Sequence, residues 1–244
     1  MPGDGIGPEI TAATLGVLRE ADRLLQLGFE FTEAAVGLSP LASQGTTFPE
    51  SSFEAAKAAD GVILGPVSHN DYPPVAQGGI NPSGALRKRL DLFANVRPAK
   101  TREGFPARCG KPVDLVVMRE NTEGFYADRN MFMGLGEFMP TADVALAVRK
   151  ITRQASTRIA EEAFRLALQR RRHVTVVHKA NVLRVSDGLF LECTRAVAAR
   201  YPQVTCEEKI IDAMAALLVR DASKFDVIVT TNMYGDILSD EASE

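Results

Sequence analysis

An α/β fold built on a largely parallel sheet is what the sequence predicts, and three observations predict it. Short runs rich in Val, Ile and Thr recur at Gly61–Gly65, Asp114–Met118, His173–His178 and Val227–Thr231, and they read as buried strands. Between them lie longer stretches whose apolar residues return at helical spacing. Strands and helices alternate along the chain, the signature of a sheet with crossover helices. At 244 residues the chain has room for one large domain or two ordinary ones.

The chain opens Met1-Pro-Gly-Asp-Gly-Ile-Gly-Pro-Glu9. Alternate glycines suggest a tight loop whose backbone approaches a ligand or another chain. A dinucleotide fingerprint would need a third glycine where Pro8 stands. Pro8 instead suits a first helical turn, with Glu9 favourable beside the positive end of the dipole. Ile10, Leu15, Leu18, Ala21 and Leu25 continue that helix to about Leu27. No strand precedes the glycine loop, which suggests a chain that starts late.

Phe29–Val36 reads as a strand, Ser51–Ala59 as a short helix, and Pro66–Ser83 as a functional loop. A helix is expected over about Gly84–Asp91, and a domain crossing over Pro98–Lys111, where prolines and Gly110 punctuate a charged segment. Gly124–Pro140 has no clean period and suits an arm or hairpin. Helices are expected over Ala145–Arg172, Gly188–Arg200 and Ala213–Asp221. After Val227–Thr231, Gly235 breaks the run and Asp236 opens a last helix. Asp236 and Asp240 then share one helix face. That pairing is costly unless a cation lies between them; an N-cap aspartate followed by a solvated one is the alternative.

A net charge of −3 gives no sign of a nucleic-acid partner. The basic run Gln169–Arg172 reads as a cationic helix C-terminus. Hydrophobic residues at 45% and charged residues at 24% are the composition of a soluble globular protein. No apolar run approaches a membrane span, and nothing at the N-terminus resembles a signal peptide. Cys109, Cys193 and Cys206 have no metal-ligand spacing and read as reduced thiols of a cytoplasmic compartment.

Several residues suit chemistry. Arg87, Arg97 and Arg119 each stand at the edge of an element, and a guanidinium fork grips carboxylates. Three that converge imply a di- or tricarboxylate; three that do not are ordinary surface arginines. Tyr126 suits a proton donor or a packing role. Lys179, at the end of a Val-rich strand, is poorly solvated and suits base work, with snorkelling as the alternative. Strand alternation puts His178 on the opposite face. Asp212, after Ile210-Ile211, is a helix cap or a third carboxylate for a cation. Oxygen donors without Cys or His favour Mg²⁺ or Mn²⁺.

Taken together and in order, the segments GDGIGPE (3–9), LRKRLDLFANVRP (86–98), RENTEGFY (119–126), VHKANV (177–182), IIDAMAALL (210–218) and NMYGDILSDEAS (232–243) resemble the metal-dependent β-decarboxylating dehydrogenases. These are the isocitrate, 3-isopropylmalate, homoisocitrate and tartrate enzymes. The resemblance implies a two-domain isopropylmalate-dehydrogenase-like fold, with a large mixed or parallel sheet domain and a smaller α/β dimerisation domain. Residues 1–98 would hold the first half of the large domain and 99–244 the small one. It implies Arg87, Arg97 and Arg119 as grips on the substrate carboxylates, and Asp236 and Asp240 as metal ligands. Asp212 and Lys179 would come from the neighbouring subunit of a homodimer, Lys179 as the base, and Tyr126 would be the acid. NAD is the implied hydride acceptor, with NADP as the alternative.

Two departures from the family matter. Its adenosine-binding segment, with a His-Gly-Ser-Ala-Pro-type loop, lies beyond Glu244. The stretch is therefore expected to be truncated, incomplete for activity on its own, and without the main cofactor-binding residues. The loop before Arg87 reads Gly79-Ile-Asn81-Pro-Ser83-Gly84-Ala-Leu. It lacks the leucines that cover an isopropyl group and offers Asn81 and Ser83 instead. A polar pair disfavours an isopropyl substituent, so isocitrate-, homoisocitrate- or tartrate-like substrates are expected, with 3-isopropylmalate as the alternative. A non-catalytic regulatory subunit and a carboxylate-binding module are the competing readings from other classes. Retention of Tyr126, Lys179, Asp212, Asp236 and Asp240 together argues against the first.

Overall fold

Packing divides the chain into two units, Met1–Asp91 and Leu92–Glu244. The structure, a computed structural model, describes residues 1–126 and 131–244.

The first unit is largely helical: α1 (Gly7–Leu25), α2 (Leu38–Gln44), α3 (Glu50–Ala58) and α4 (Pro82–Arg89). Its core is small and made of Val36, Phe48, Phe53, Ala56 and Leu86. Pro8 sits in the first turn of α1, as its fixed φ favours. The glycine loop closes against a later stretch of the chain itself. A Cβ on Gly3 would lie 2.0 Å from the Pro66 carbonyl oxygen, and its φ of 81° is left-handed, so only glycine fits. Asp4 fastens the loop, accepting from the backbone N–H of Leu38 (2.7 Å) and Ser68 (3.0 Å) and from the Tyr72 hydroxyl (2.5 Å). Burial pushes its carboxyl up, but those three donors outweigh burial and hold it below its usual value.

Two expected strands are absent from this unit. Phe29–Val36 and Gly61–Gly65 form no ladder, and Val62 and Ile63 are exposed rather than buried. β propensity stabilises only a strand that has neighbours on its edges. Here the backbone of residues 63–66 bonds to the first residues of the chain, through Met1 N–H to the Ile63 carbonyl (3.1 Å), Gly65 N–H to the Met1 carbonyl (2.9 Å) and Asp4 N–H to the Pro66 carbonyl (2.8 Å).

The second unit holds a five-stranded sheet in the order β1-β2-β7-β5-β6. Its strands are β1 (Ala94–Lys100), β2 (Asp114–Glu120), β5 (His173–His178), β6 (Thr205–Ile210) and β7 (Val227–Thr230). β1 pairs antiparallel with β2, and the other pairs are parallel. Period-2 alternation sorts the side chains between two cores. Val116, Met118, Val174, Val176, Val227 and Val229 face α5 (Arg153–Leu168) and α6 (Ser186–Ala198). Leu115, Val117, Val177 and Ile228 face α7 (Ile211–Asp221) and α8 (Asn232–Ser243). Full burial of a side chain such as Ile228 contributes about 1.5–3 kcal/mol.

Several expected boundaries move. Pro98–Lys111 is no crossing between units; Pro98–Lys100 lie in β1, and residues 101–113 connect it to β2. The edge strands β1 and β6 carry charged residues, which hid them from an apolar pattern. Residues 145–147, expected as helix, belong to β4 (Val144–Ala147), which pairs with β3 (Glu137–Thr141) as an exposed hairpin. Only the first strand of that hairpin overlaps the expected arm, Gly124–Pro140, whose residues 127–130 are outside the described residues, and the second strand lies beyond it. The basic run after α5 does more than face a helix dipole. Arg170 donates to Asp114 Oδ1 (2.6 Å) and Asp226 Oδ1 (2.7 Å), and Arg171 donates to the Phe225 carbonyl (2.5 Å), so both tie the helix end to the start of two strands.

Gly235 does not break the last element either. α8 begins at Asn232 after Thr231, so Gly235 is inside the helix and Asp236 is not its cap. The glycine serves packing: a Cβ there would lie 2.6 Å from Arg119 Cβ and 3.2 Å from Arg119 Cα. Gly235→Ala should therefore lower stability by about 1–3 kcal/mol, although alanine is the better helix former by about 0.8–1.0 kcal/mol. Thermal unfolding checks the sign, and a more stable variant would refute the close-packing argument.

Candidate active site

Arg119 on β2 is 2% exposed, yet each nitrogen of its guanidinium has an acceptor. Nε donates to Asn232 Oδ1 (2.8 Å), Nη2 to the Tyr126 hydroxyl (2.7 Å), and Nη1 to Asp236. The Tyr126 hydroxyl in turn donates to Asp236 Oδ2 at 3.0 Å. Burial pulls the guanidinium below its usual pKa, and Tyr126 and Asp236 oppose that shift. One turn on, Asp240 shares the α8 face with Asp236, and Arg97 on β1 reaches both. Its Nη2 is 3.5 Å from Asp236 Oδ1, its Nη1 is 3.2 Å from Asp240 Oδ1, and Nη1 also donates to Ser239 Oγ (2.9 Å). Arg97 thus lies against both adjacent carboxylates as a counter-charge within the chain.

The local fold explains the convergence. β1 and β2 are antiparallel neighbours, so Arg97 and Arg119 come from adjacent strands over one helix. Asn232 fixes the turn that carries Tyr126, donating from Nδ2 to the Glu123 carbonyl (2.9 Å). Gly124 follows at φ 102°, and it pairs with Lys150 through two backbone hydrogen bonds. Glu123 accepts from the Thr152 N–H (2.7 Å), and burial pushes its carboxyl above its usual value.

Lys179 and Asp212 form a second group. The ammonium pairs with the Asp212 carboxylate, which lies in the first turn of α7 and is 69% exposed. The hydrogen bond from Lys179 holds that carboxyl below its usual pKa. Among the described residues no three His, Cys, Asp or Glu are placed to hold a metal. Asp212 therefore does not join Asp236 and Asp240 within one chain. His178 is buried, and its Nδ1 accepts from the Ala180 N–H (3.0 Å). Asn81, Ser83 and Arg87 belong to the first unit, all on α4 or its cap. Asn81 is the N-cap: its Oδ1 accepts from the backbone of Ser83 (3.0 Å) and Gly84 (3.3 Å). Arg87 lies in the last turn.

The model of the isocitrate/isopropylmalate dehydrogenase family matches residues 1–244. The chain belongs to this family. A 3-isopropylmalate dehydrogenase of Sulfurisphaera tokodaii is 42% identical over 99% of this dehydrogenase-family chain and 66% of its own length. A homoisocitrate dehydrogenase of Methanocaldococcus jannaschii is 38% identical over 99% of this chain and 68% of its own. A probable mitochondrial NAD isocitrate dehydrogenase subunit alpha of Drosophila melanogaster is 39% identical over 98% and 60%. The crystal structure of isocitrate dehydrogenase from Methylococcus capsulatus superposes with a TM-score of 0.83 at 37% identity, covering 99% of this chain and 68% of that one. The chain thus spans about two thirds of the length of the curated relatives it matches, 66% and 67% in two archaeal cases. Among the described residues no helix is long and apolar enough to cross a membrane.

Sequence reasoning missed Asn232, Ser239, Arg149 and Asp187. Asn232 lies in the quoted motif NMYGDILSDEAS, but nothing in its spacing marks it as a partner for a buried arginine. Asn232→Ala would strip the acceptor from Arg119 Nε and the donor from the Glu123 carbonyl. The expected loss is about 1–3 kcal/mol, read as a lower denaturation midpoint with an unchanged slope; an unchanged midpoint would mean water replaces both contacts.

Proposed function

We propose that the protein catalyses NAD- or NADP-dependent oxidative decarboxylation of a 2-hydroxy di- or tricarboxylic acid, as a homodimer with shared active sites in a cytoplasmic compartment. The observation that carries this reading is the single hydrogen-bonded group of Arg119, Tyr126 and Asp236, with Arg97 spanning Asp236 and Asp240. In it, two carboxylate grips, a proton donor and two metal-type ligands converge. The first unit is proposed as part of the large domain and the second as the small dimerisation domain.

The donor set fits a hard divalent ion. Asp236 and Asp240 offer oxygen ligands on one helix face, and Asp212 of a second copy would supply a third. Bound there, Mg²⁺ or Mn²⁺ supplies Lewis-acid polarisation of the substrate hydroxyl and charge stabilisation after CO₂ is lost. Arg97 and Arg119 bind the substrate carboxylates, and Arg87, Asn81 and Ser83 are proposed substrate residues from their match to the family's motifs. Lys179, arriving from the neighbour together with Asp212, would accept the substrate's hydroxyl proton, and a bound nicotinamide would supply the hydride acceptor. Tyr126 returns a proton to the carbon that lost CO₂. No cofactor-binding residue is assigned in this stretch.

The substrate is the finer question. Relatives carry three names, 3-isopropylmalate, homoisocitrate and isocitrate dehydrogenase. The lean towards a polar third substituent rests on Asn81 and Ser83, and Asn81 already has a capping role. Reduction of NAD⁺ and NADP⁺ with Mn²⁺ over isocitrate, homoisocitrate, 3-isopropylmalate, tartrate and malate decides it, and silence on all five favours a regulatory subunit. Asp236→Asn should lower turnover by about 100-fold or more and weaken Mn²⁺ binding together; unchanged metal dependence would remove Asp236 from the ligand set. Lys179→Met should cost about 10²–10⁴-fold in turnover with substrate binding retained. Equal loss of both would make Lys179 structural.

A further inference from the structure

The two groups of site residues are joined inside one chain by a buried ion pair. Asp187, in the first turn of α6, has a fully buried side chain, and that of Arg149 is 8% exposed. Asp187 Oδ1 pairs with Arg149 Nη1, and Asp187 Oδ2 accepts the backbone N–H of Lys179 at 2.5 Å. Arg149 Nη2 donates to Thr231 Oγ1 (2.9 Å), and Nη1 also donates to Ser186 Oγ (3.2 Å). Thr231 stands at the N-cap position before α8, and its hydroxyl makes no capping bond there. The guanidinium lies 5.1 Å from the ring centre of Tyr234, on α8, and 5.6 Å from that of Phe125, next to Tyr126. Lys150, the next residue, pairs with Gly124.

Three segments therefore meet on one pair: the end of β5 with Lys179, the start of α8 with Asp236 and Asp240, and the turn with Tyr126. We propose that Asp187 and Arg149 are positioning residues that hold the Lys179 main chain in register with α8. The inference deepens the proposed function and rests on it for the role of Lys179. A buried ion pair is weak evidence for stability, because well-packed apolar residues often replace one at no cost. Its use here is geometric. The Asp187 carboxylate accepts from the Lys179 main chain and from Arg149, which in turn holds Thr231 before α8, so neither the strand end nor the helix start can shift without breaking a bond. In a dimer with shared sites, where Lys179 serves the neighbour's Asp236 and Tyr126, the same pair would link one site to the other.

The test uses the full-length protein and three variants: Asp187→Asn, the double Asp187→Leu/Arg149→Met, and Lys179→Met as the zero of base-dependent turnover. Asp187→Asn should lower kcat by about 100-fold while KM for the hydroxy acid and Mn²⁺ affinity stay near wild type. The double variant relieves both buried charges, so its melting temperature should match wild type while kcat remains low. Recovery of kcat in the double variant, or its failure to fold, would reduce the pair to a folding role and overturn the proposal. If the wild type turns over no hydroxy acid, the proposed function has failed, and amide exchange at Lys179 then decides the inference. Loss of the Asp187 acceptor should speed that exchange by about tenfold or more; unchanged exchange in Asp187→Asn overturns it.

Discussion

A guanidinium buried on a central strand is the constraint around which the second unit is arranged. Arg119 cannot lose its charge, and charge taken out of water is costly unless hydrogen bonds replace the water. Three acceptors surround it, Asn232, Tyr126 and Asp236, from two different parts of the chain. Each makes a demand in turn. Asn232 and Asp236 bring the first turns of α8 against β2, and that approach leaves no room for a Cβ at position 235. Tyr126 needs a left-handed turn before it, and Gly124 supplies one. The motif residues near the C-terminus thus follow from one buried cation on β2.

The same ion pairs set the electrostatic terms of the site. Arg97 and Arg119 face Asp236 and Asp240, so two cations balance two anions within one chain. An anionic ligand would take the arginines from the aspartates, and a cation would take the aspartates from the arginines. Each makes room for the other's partner. A hydroxy acid bearing carboxylates, accompanied by a divalent ion, exchanges these pairs without leaving a buried charge alone.

What was legible in the sequence follows from the range of the interactions involved. The parallel strands β2, β5 and β7 are buried on both faces, so their apolar runs stood out. The edge strands β1 and β6 carry charged residues and gave no such run. Residues 29–36 and 61–65 have strand composition, but pairing depends on neighbours far along the chain, which composition does not carry. Arg97, Arg119, Tyr126, Asp236 and Asp240 were found through motif order and come together as one group. Gly235 was misread because its helix-breaking propensity is local, whereas its packing against Arg119 spans more than a hundred residues of chain. Asp187 and Arg149 were invisible for the same reason. Nothing nearby in the sequence marks an aspartate that accepts from one strand end and an arginine that donates to another.

Asn81 shows how one residue answers two questions at once. Its position in the loop before α4, two residues ahead of Ser83, invited the reading of a polar pair facing a polar substituent. The structure commits its Oδ1 to the N–H groups of Ser83 and Gly84, and capping alone accounts for an asparagine there. Capping also uses the two backbone donors that open the helix. Half of the argument for a polar substituent is thereby absorbed by local structure, and what remains rests on the Ser83 hydroxyl and on the absence of leucines. A leucine pair would cover an alkyl group by burying apolar area; a lone serine neither buries one nor strongly rejects it. The loop therefore discriminates weakly by itself, and under the proposed function any selectivity among hydroxy acids must draw on groups besides Asn81.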